Sequence, residues 1–178
     1  MSAPTRIARL FDALRQARRK ALIGYLTAGD PSLERLPSLV EALERGGVDL
    51  IELGVPFSDP IADGPIIQRA SQRALAGGAT LRGVLEVARQ IRRRSEIPLV
   101  LFSYLNPVMR CGLETLAREA AEAGLDGVLL TDLSVEEAGR YVAVMQAHGL
   151  DTVFLAAPTS TPERLRRVAQ YSSGFVYL

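Results

Sequence analysis

The stretch GVDLIELGVPFSDPIADGP, residues 47–65, joins an apolar run to a stiff, acidic loop. VDLIEL (48–53) is nearly continuous in apolar character, the pattern of a parallel strand covered on both faces, yet it carries Glu52 one residue from its end. The loop that follows holds prolines at 56, 60 and 65, which restrict its backbone, and two further acids, Asp59 and Asp63.

Similar apolar runs recur on both sides of it. ALIGYL (21–26), IPLVLF (97–102), GVLL (127–130), DTVFLA (151–156) and GFVYL (174–178) read as strands. Helical patterns lie between them at 32–45, 66–76, 80–94, 113–123, 135–147 and 162–171, with one more at 5–18 before the first strand. Ser134 with Glu137 has the form of a capping box. Thr161-Pro162 places a cap before a first-turn proline, and His148-Gly149 ends a helix. Gly77-Gly78 breaks the chain between two helical pieces.

Strands alternating with helices over short connections make a parallel α/β sheet. An open doubly wound sheet normally carries a glycine-rich first turn; here that turn is TAGDP (27–31). Polar residues also gather at several strand ends, which favours the parallel (β/α)8 barrel. The reading expects one barrel domain over 1–178 holding about the first six βα units. Such barrels run to roughly 250 residues, so strands 7–8 and their phosphate-binding loops are expected to be missing, as in a C-terminally truncated chain.

The composition removes several classes of function. A net charge of +1 gives no field for nucleic acid or anionic membrane. Cys111, placed in a loop, is the only cysteine, and His148 the only histidine, so no Cys/His zinc site can form and no metal is expected. The single lysine, Lys20, is followed by Ala, which excludes a phosphate-binding GK[ST] loop. The sequence has neither a secretory leader pattern nor about 18 consecutive apolar residues, and a cytoplasmic protein is expected. Arg92-Arg93-Arg94 reads as a solvated helix end.

Carboxylate chemistry remains. A glutamate near the C-terminal end of a barrel strand points into the mouth, where partial burial raises its pKa and allows it both to give and to take a proton. The competing readings are structural: Glu52 as the partner of an arginine, and Asp63 as part of an ordinary Asp-Gly turn.

The combination is more specific than its parts. ELGVPFSDPIADGPIIQRASQRAL (52–75) resembles the signature of the tryptophan synthase α subunit family. The resemblance continues through YLTAGDP (25–31), Tyr104 with Asn106-Pro107, LLTDLSVEEA (129–138), VFLAAPTSTPERL (153–165) and GFVYL (174–178). It implies a lyase of tryptophan biosynthesis that cleaves indole-3-glycerol phosphate to indole and glyceraldehyde 3-phosphate. Glu52 and Asp63 match the family's catalytic pair. Tyr25, Phe102, Leu129, Leu155 and Tyr177 match positions lining its indole pocket. Asp59, Asn106, Pro107 and Asp132 fall in segments that face a β subunit, in an α2β2 assembly whose pyridoxal phosphate sits on the β subunit; no cofactor is expected here. Two other readings stay open: a truncated, inactive chain that only binds the β subunit, and another phosphosugar-handling barrel enzyme.

Overall fold

The computed structural model describes residues 4–178. Six parallel strands stand in chain order, β1 (Ile23–Thr27), β2 (Leu50–Gly54), β3 (Leu99–Ser103), β4 (Gly127–Leu130), β5 (Asp151–Leu155) and β6 (Val176–Tyr177). Eight helices accompany them: α1 (Arg6–Gln16), α2 (Leu36–Arg45), α3 (Pro65–Ala76), α4 (Leu81–Arg92), α5 (Leu105–Cys111), α6 (Leu113–Glu122), α7 (Gly139–Ala147) and α8 (Pro162–Tyr171). Sequential order with every neighbour parallel is the winding of a (β/α)8 barrel, here a curled sheet of six strands whose edges are β1 and β6.

Alternation along the strands divides the apolar residues into two layers. One face of the sheet, with Leu53, Leu101, Leu130 and Phe154, packs on the helices in the larger core. The other face turns into the barrel, where Leu50, Val100, Leu129 and Val153 form a smaller cluster with Ile23, Phe102 and Phe175. α1 closes the bottom of that interior. Ile7 is fully buried there, and Phe11 meets Phe175 at 5.9 Å between ring centroids. A Cβ on Gly127 would stand 2.9 Å from the Asp151 carbonyl and 3.3 Å from Ile7, so glycine lets the plug seat.

The first three strands begin two residues later, and end one residue later, than hydrophobicity suggests. β1 and β2 run on to pair Thr27 with Gly54, and Gly54 pairs in turn with Phe102. These terminal residues are held by the backbone ladder without large apolar side chains, so an apolar pattern stops short of the barrel mouth.

Three helix expectations need correction. α5 was hidden by Asn106-Pro107, which reads as a turn; yet Pro107 lies in the first turn, where the missing N–H has no intrahelical partner to lose. Cys111 accordingly ends α5 and does not lie in a loop. α7 starts at Gly139, and Ser134 makes no capping box: its hydroxyl bonds Glu136 in the preceding turn. By contrast, Thr161 caps α8 by accepting the Arg164 N–H, with Pro162 at the first position. His148-Gly149 ends α7, and Gly78, at φ 81°, separates α3 from α4.

Arg92 also departs from expectation, since it turns inward where a solvated helix end was expected. Its guanidinium meets the buried Asp126 at 2.9 Å and donates to the carbonyls of Gly124, Ser95 and Ile97. Asp126 takes a second arginine, Arg6, at 3.1 Å and the Leu99 N–H at 2.9 Å. Burial pushes the Asp126 carboxyl upward, against the pull of that N–H and both arginines. The network ties α1, α4 and the starts of β3 and β4 together beneath the barrel. Asp126→Ala strands a buried guanidinium, and urea denaturation is expected to show a loss of about 3–5 kcal/mol.

Candidate active site

At the opposite, C-terminal end of the strands, Glu52 faces the barrel interior from β2. Its neighbours in register are Tyr25 on β1 and Val100 on β3. The side chain is only 3% exposed, and its Oε1 has no hydrogen-bond partner among the described residues. The expected arginine partner of a purely structural glutamate is therefore missing. Removal from water without compensation disfavours the charged form and pushes the Glu52 carboxyl up to about 7.

Tyr25 is bound up with both acids. Burial pushes its phenol up to about 12, and the charges of Asp63 and Glu52 push in the same direction, so the phenol lies within the field of both carboxylates. It reaches that place across Gly54. A Cβ there would come to 2.1 Å from the phenol oxygen, so only glycine admits the ring. Phe102 stands edge-on to Tyr25 at 5.2 Å.

Asp63 arrives from the β2–α3 loop and is half-buried. Its Oδ2 accepts the Tyr104 hydroxyl at 3.0 Å, and its carbonyl accepts from the Gln68 amide at 2.9 Å. The Asp-Gly pair is thus the lead into α3, with Gly64 as its cap and Pro65 at its first position.

The expected pocket residues divide by depth. Tyr25, Glu52 and Tyr177 line one open cleft of about 420 Å³ together with Ile23 and Phe175. Leu129 is fully buried in the interior cluster, against which Phe102 packs. Leu155 and Tyr177 are register partners at the β6 side, 37% and 41% exposed. Tyr104, which received no role from the sequence, is the residue that reading missed. The signal was available: it shares Phe102's parity at the end of a strand.

The four residues expected to face a partner lie on three segments, the β2–α3 loop, α5 and the β4–α7 loop. Asp59 is exposed on the β2–α3 loop and accepts the Ser58 hydroxyl. Asn106 and Pro107 are in the first turn of α5, and Asp132 caps that helix by accepting the Leu105 N–H at 2.7 Å. Asp132 therefore has a structural task whatever it faces. Ile61 on the β2–α3 loop, Ile66 in the first turn of α3 and Met109 on α5 are 84%, 72% and 61% exposed.

Fold and site define a class: a (β/α)-barrel protein with a buried, unpaired acid at its mouth and a second acid on the following loop. Comparison with known proteins narrows this. The family model for the tryptophan synthase alpha chain matches residues 11–178, and the chain belongs to that family. It is 69% identical over 174 residues to the tryptophan synthase alpha chain of Solibacter usitatus, covering 98% of this chain and 65% of that protein. The Geobacter sulfurreducens alpha chain is 50% identical over 173 residues, with 97% and 66% covered. The chain thus spans about 65% of the length of these curated relatives. Among solved structures, tryptophan synthase subunit alpha from Legionella pneumophila superposes with a TM-score of 0.96 at 43% identity, over 99% of this chain and 68% of that one. A chain of the tryptophan synthase a2b2 complex of Pyrococcus furiosus gives 0.86 at 44% identity, over 89% and 67%.

The electrostatics of Glu52 yield a stability test. Below its ordinary pKa of 4.5 the carboxyl is protonated in both folded and unfolded chains. Between 4.5 and about 7 the unfolded chain loses that proton while the folded chain keeps it, so stability falls as pH rises. Above about 7 the deficit is complete, up to about 3 kcal/mol at 1.36 kcal/mol per pKa unit. Glu52→Gln, which cannot ionise, is expected to melt higher than the parent chain at pH 8, with the gap narrowing towards pH 4.5. Thermal melts across that range check it.

Proposed function

We propose that the chain carries the acid–base centre of a tryptophan synthase α-chain lyase, which cleaves indole-3-glycerol phosphate to indole and glyceraldehyde 3-phosphate. The observation that supports this most is the unpartnered Glu52 carboxyl at the barrel mouth, poised near neutrality, in a chain of this family.

In the proposed reaction, protonated Glu52 delivers its proton to C3 of the indole ring. The ring becomes cationic, and Asp63, accepting the ring N–H, stabilises the charge where it develops. Glu52, now a carboxylate, takes the proton of the hydroxyl on the adjoining glycerol carbon. The bond from C3 to that carbon breaks, its electron pair returns to the ring, and the hydroxyl carbon becomes the aldehyde. One proton leaves Glu52 and one returns. A pKa of about 7 suits a group that must work in both forms near neutral pH. Tyr25, Phe102, Leu129, Leu155 and Tyr177 supply the apolar walls for the ring in this reading.

The chemistry so written draws on carboxylates and needs no cofactor of its own; pyridoxal phosphate belongs to a partner β subunit in an α2β2 assembly. Asp59, Asn106, Pro107 and Asp132 are proposed to face that partner, with exposed Ile61, Ile66 and Met109 beside them supporting an apolar contact. No helix among the described residues is long and apolar enough to cross a membrane, in keeping with a proposed cytoplasmic site for the reaction.

Glu52→Gln and Asp63→Asn are each expected to lower indole release from indole-3-glycerol phosphate by about 10²–10⁴, the usual worth of a positioned acid–base group. The assay is run on the 178-residue chain alone and with a β subunit. Turnover undiminished by either change would refute the assignment.

A further inference from the structure

Tyr104 stands where β3 gives way to α5. It is only 3% exposed, and its ring lies against Phe57 at 5.3 Å between centroids. The hydroxyl makes two bonds to the β2–α3 loop. It accepts the Ala62 N–H at 2.9 Å and donates to Asp63 Oδ2 at 3.0 Å. A phenol has a single O–H to donate, so the direction of both bonds is fixed. One oxygen thus holds the backbone just before Asp63 and the Asp63 carboxylate together.

Little else performs that task. Asp63 N–H reaches the Pro60 carbonyl at 3.3 Å, and the Gln68 amide holds the Asp63 carbonyl; both fix backbone and leave the carboxylate free to turn. Tyr104 is itself anchored. It is the residue before α5, whose first N–H, that of Leu105, is held by Asp132 at 2.7 Å.

We propose that Tyr104 is the positioning residue for Asp63: its hydroxyl fixes where that carboxylate points and how the loop backbone beside it lies. The proposal deepens the lyase reading and rests on it for its catalytic consequence. A carboxylate that stabilises a developing charge works through fixed geometry, so freedom to rotate is expected to lower turnover more than binding.

Tyr104→Phe removes one oxygen and keeps the ring against Phe57. Amide hydrogen exchange in the 178-residue chain, followed by NMR, reads the loop without any assay of activity. The Ala62 amide is expected to exchange about tenfold faster or more, as loss of a hydrogen bond implies, while the Leu101 and Val128 amides stay unchanged and certify the fold. In indole release, kcat is expected to fall about tenfold to a hundredfold, the worth of one hydrogen bond to a charged group, with KM moving less than about twofold. In an Asp63→Asn background the same change is expected to cost almost nothing more, because the two residues act as one unit. Unaltered Ala62 exchange, or an equal loss in both backgrounds, would overturn the proposal. Should the parent chain release no indole, the lyase reading fails for this chain, and Ala62 exchange alone still decides whether Tyr104 holds the loop.

Discussion

A carboxyl group almost withdrawn from water, with one oxygen buried and unpartnered, is the constraint on which the rest of the structure depends. Glu52 sits in the second strand of a parallel sheet, between Tyr25 and Val100, with one oxygen unsatisfied. Such a group destabilises the fold at neutral pH. It persists because rigid elements surround it: the ladder fixes the β2 backbone on both sides, and Gly54 leaves room for the tyrosine that walls it in. The strain-free way to satisfy Glu52, an arginine, is used elsewhere in the same molecule.

That use is at the other end of the strands. Arg92 and Arg6 converge on Asp126, which also takes a backbone N–H, so that a buried acid there is compensated several times over. Two buried carboxylates therefore have opposite surroundings. The one beneath the barrel binds helices to strand starts; the one at the mouth has no arginine, and in the proposed reaction it exchanges a proton. This division follows the polarity of the fold, in which the C-terminal strand ends carry chemistry and the N-terminal ends carry stability.

Most of the architecture was legible from residues 47–65 and the alternation around them. Continuous apolar runs mark parallel strands, and Glu52 stands out against them because a charge is costly there. Hydrophobicity could not mark where strands end at the mouth, since Thr27, Gly54 and Ser103 are held by backbone bonds. α5 was illegible for a related reason: its start depends on Asp132, 27 residues away. Arg92 looked like one of three solvated arginines because its acid, Asp126, is remote in sequence. Tyr104 was visible in the chain, but only the folded loop brings Ala62 and Asp63 to its hydroxyl.

The most direct test of this account is the titration of Glu52 itself, followed through its side-chain carboxyl carbon by NMR in the folded 178-residue chain. A midpoint near 7 is expected, and the signal that shows it is expected to be absent from Glu52→Gln. A midpoint at the ordinary glutamate value of 4.5 would mean that the carboxyl is solvated or paired, and would contradict the account at its base.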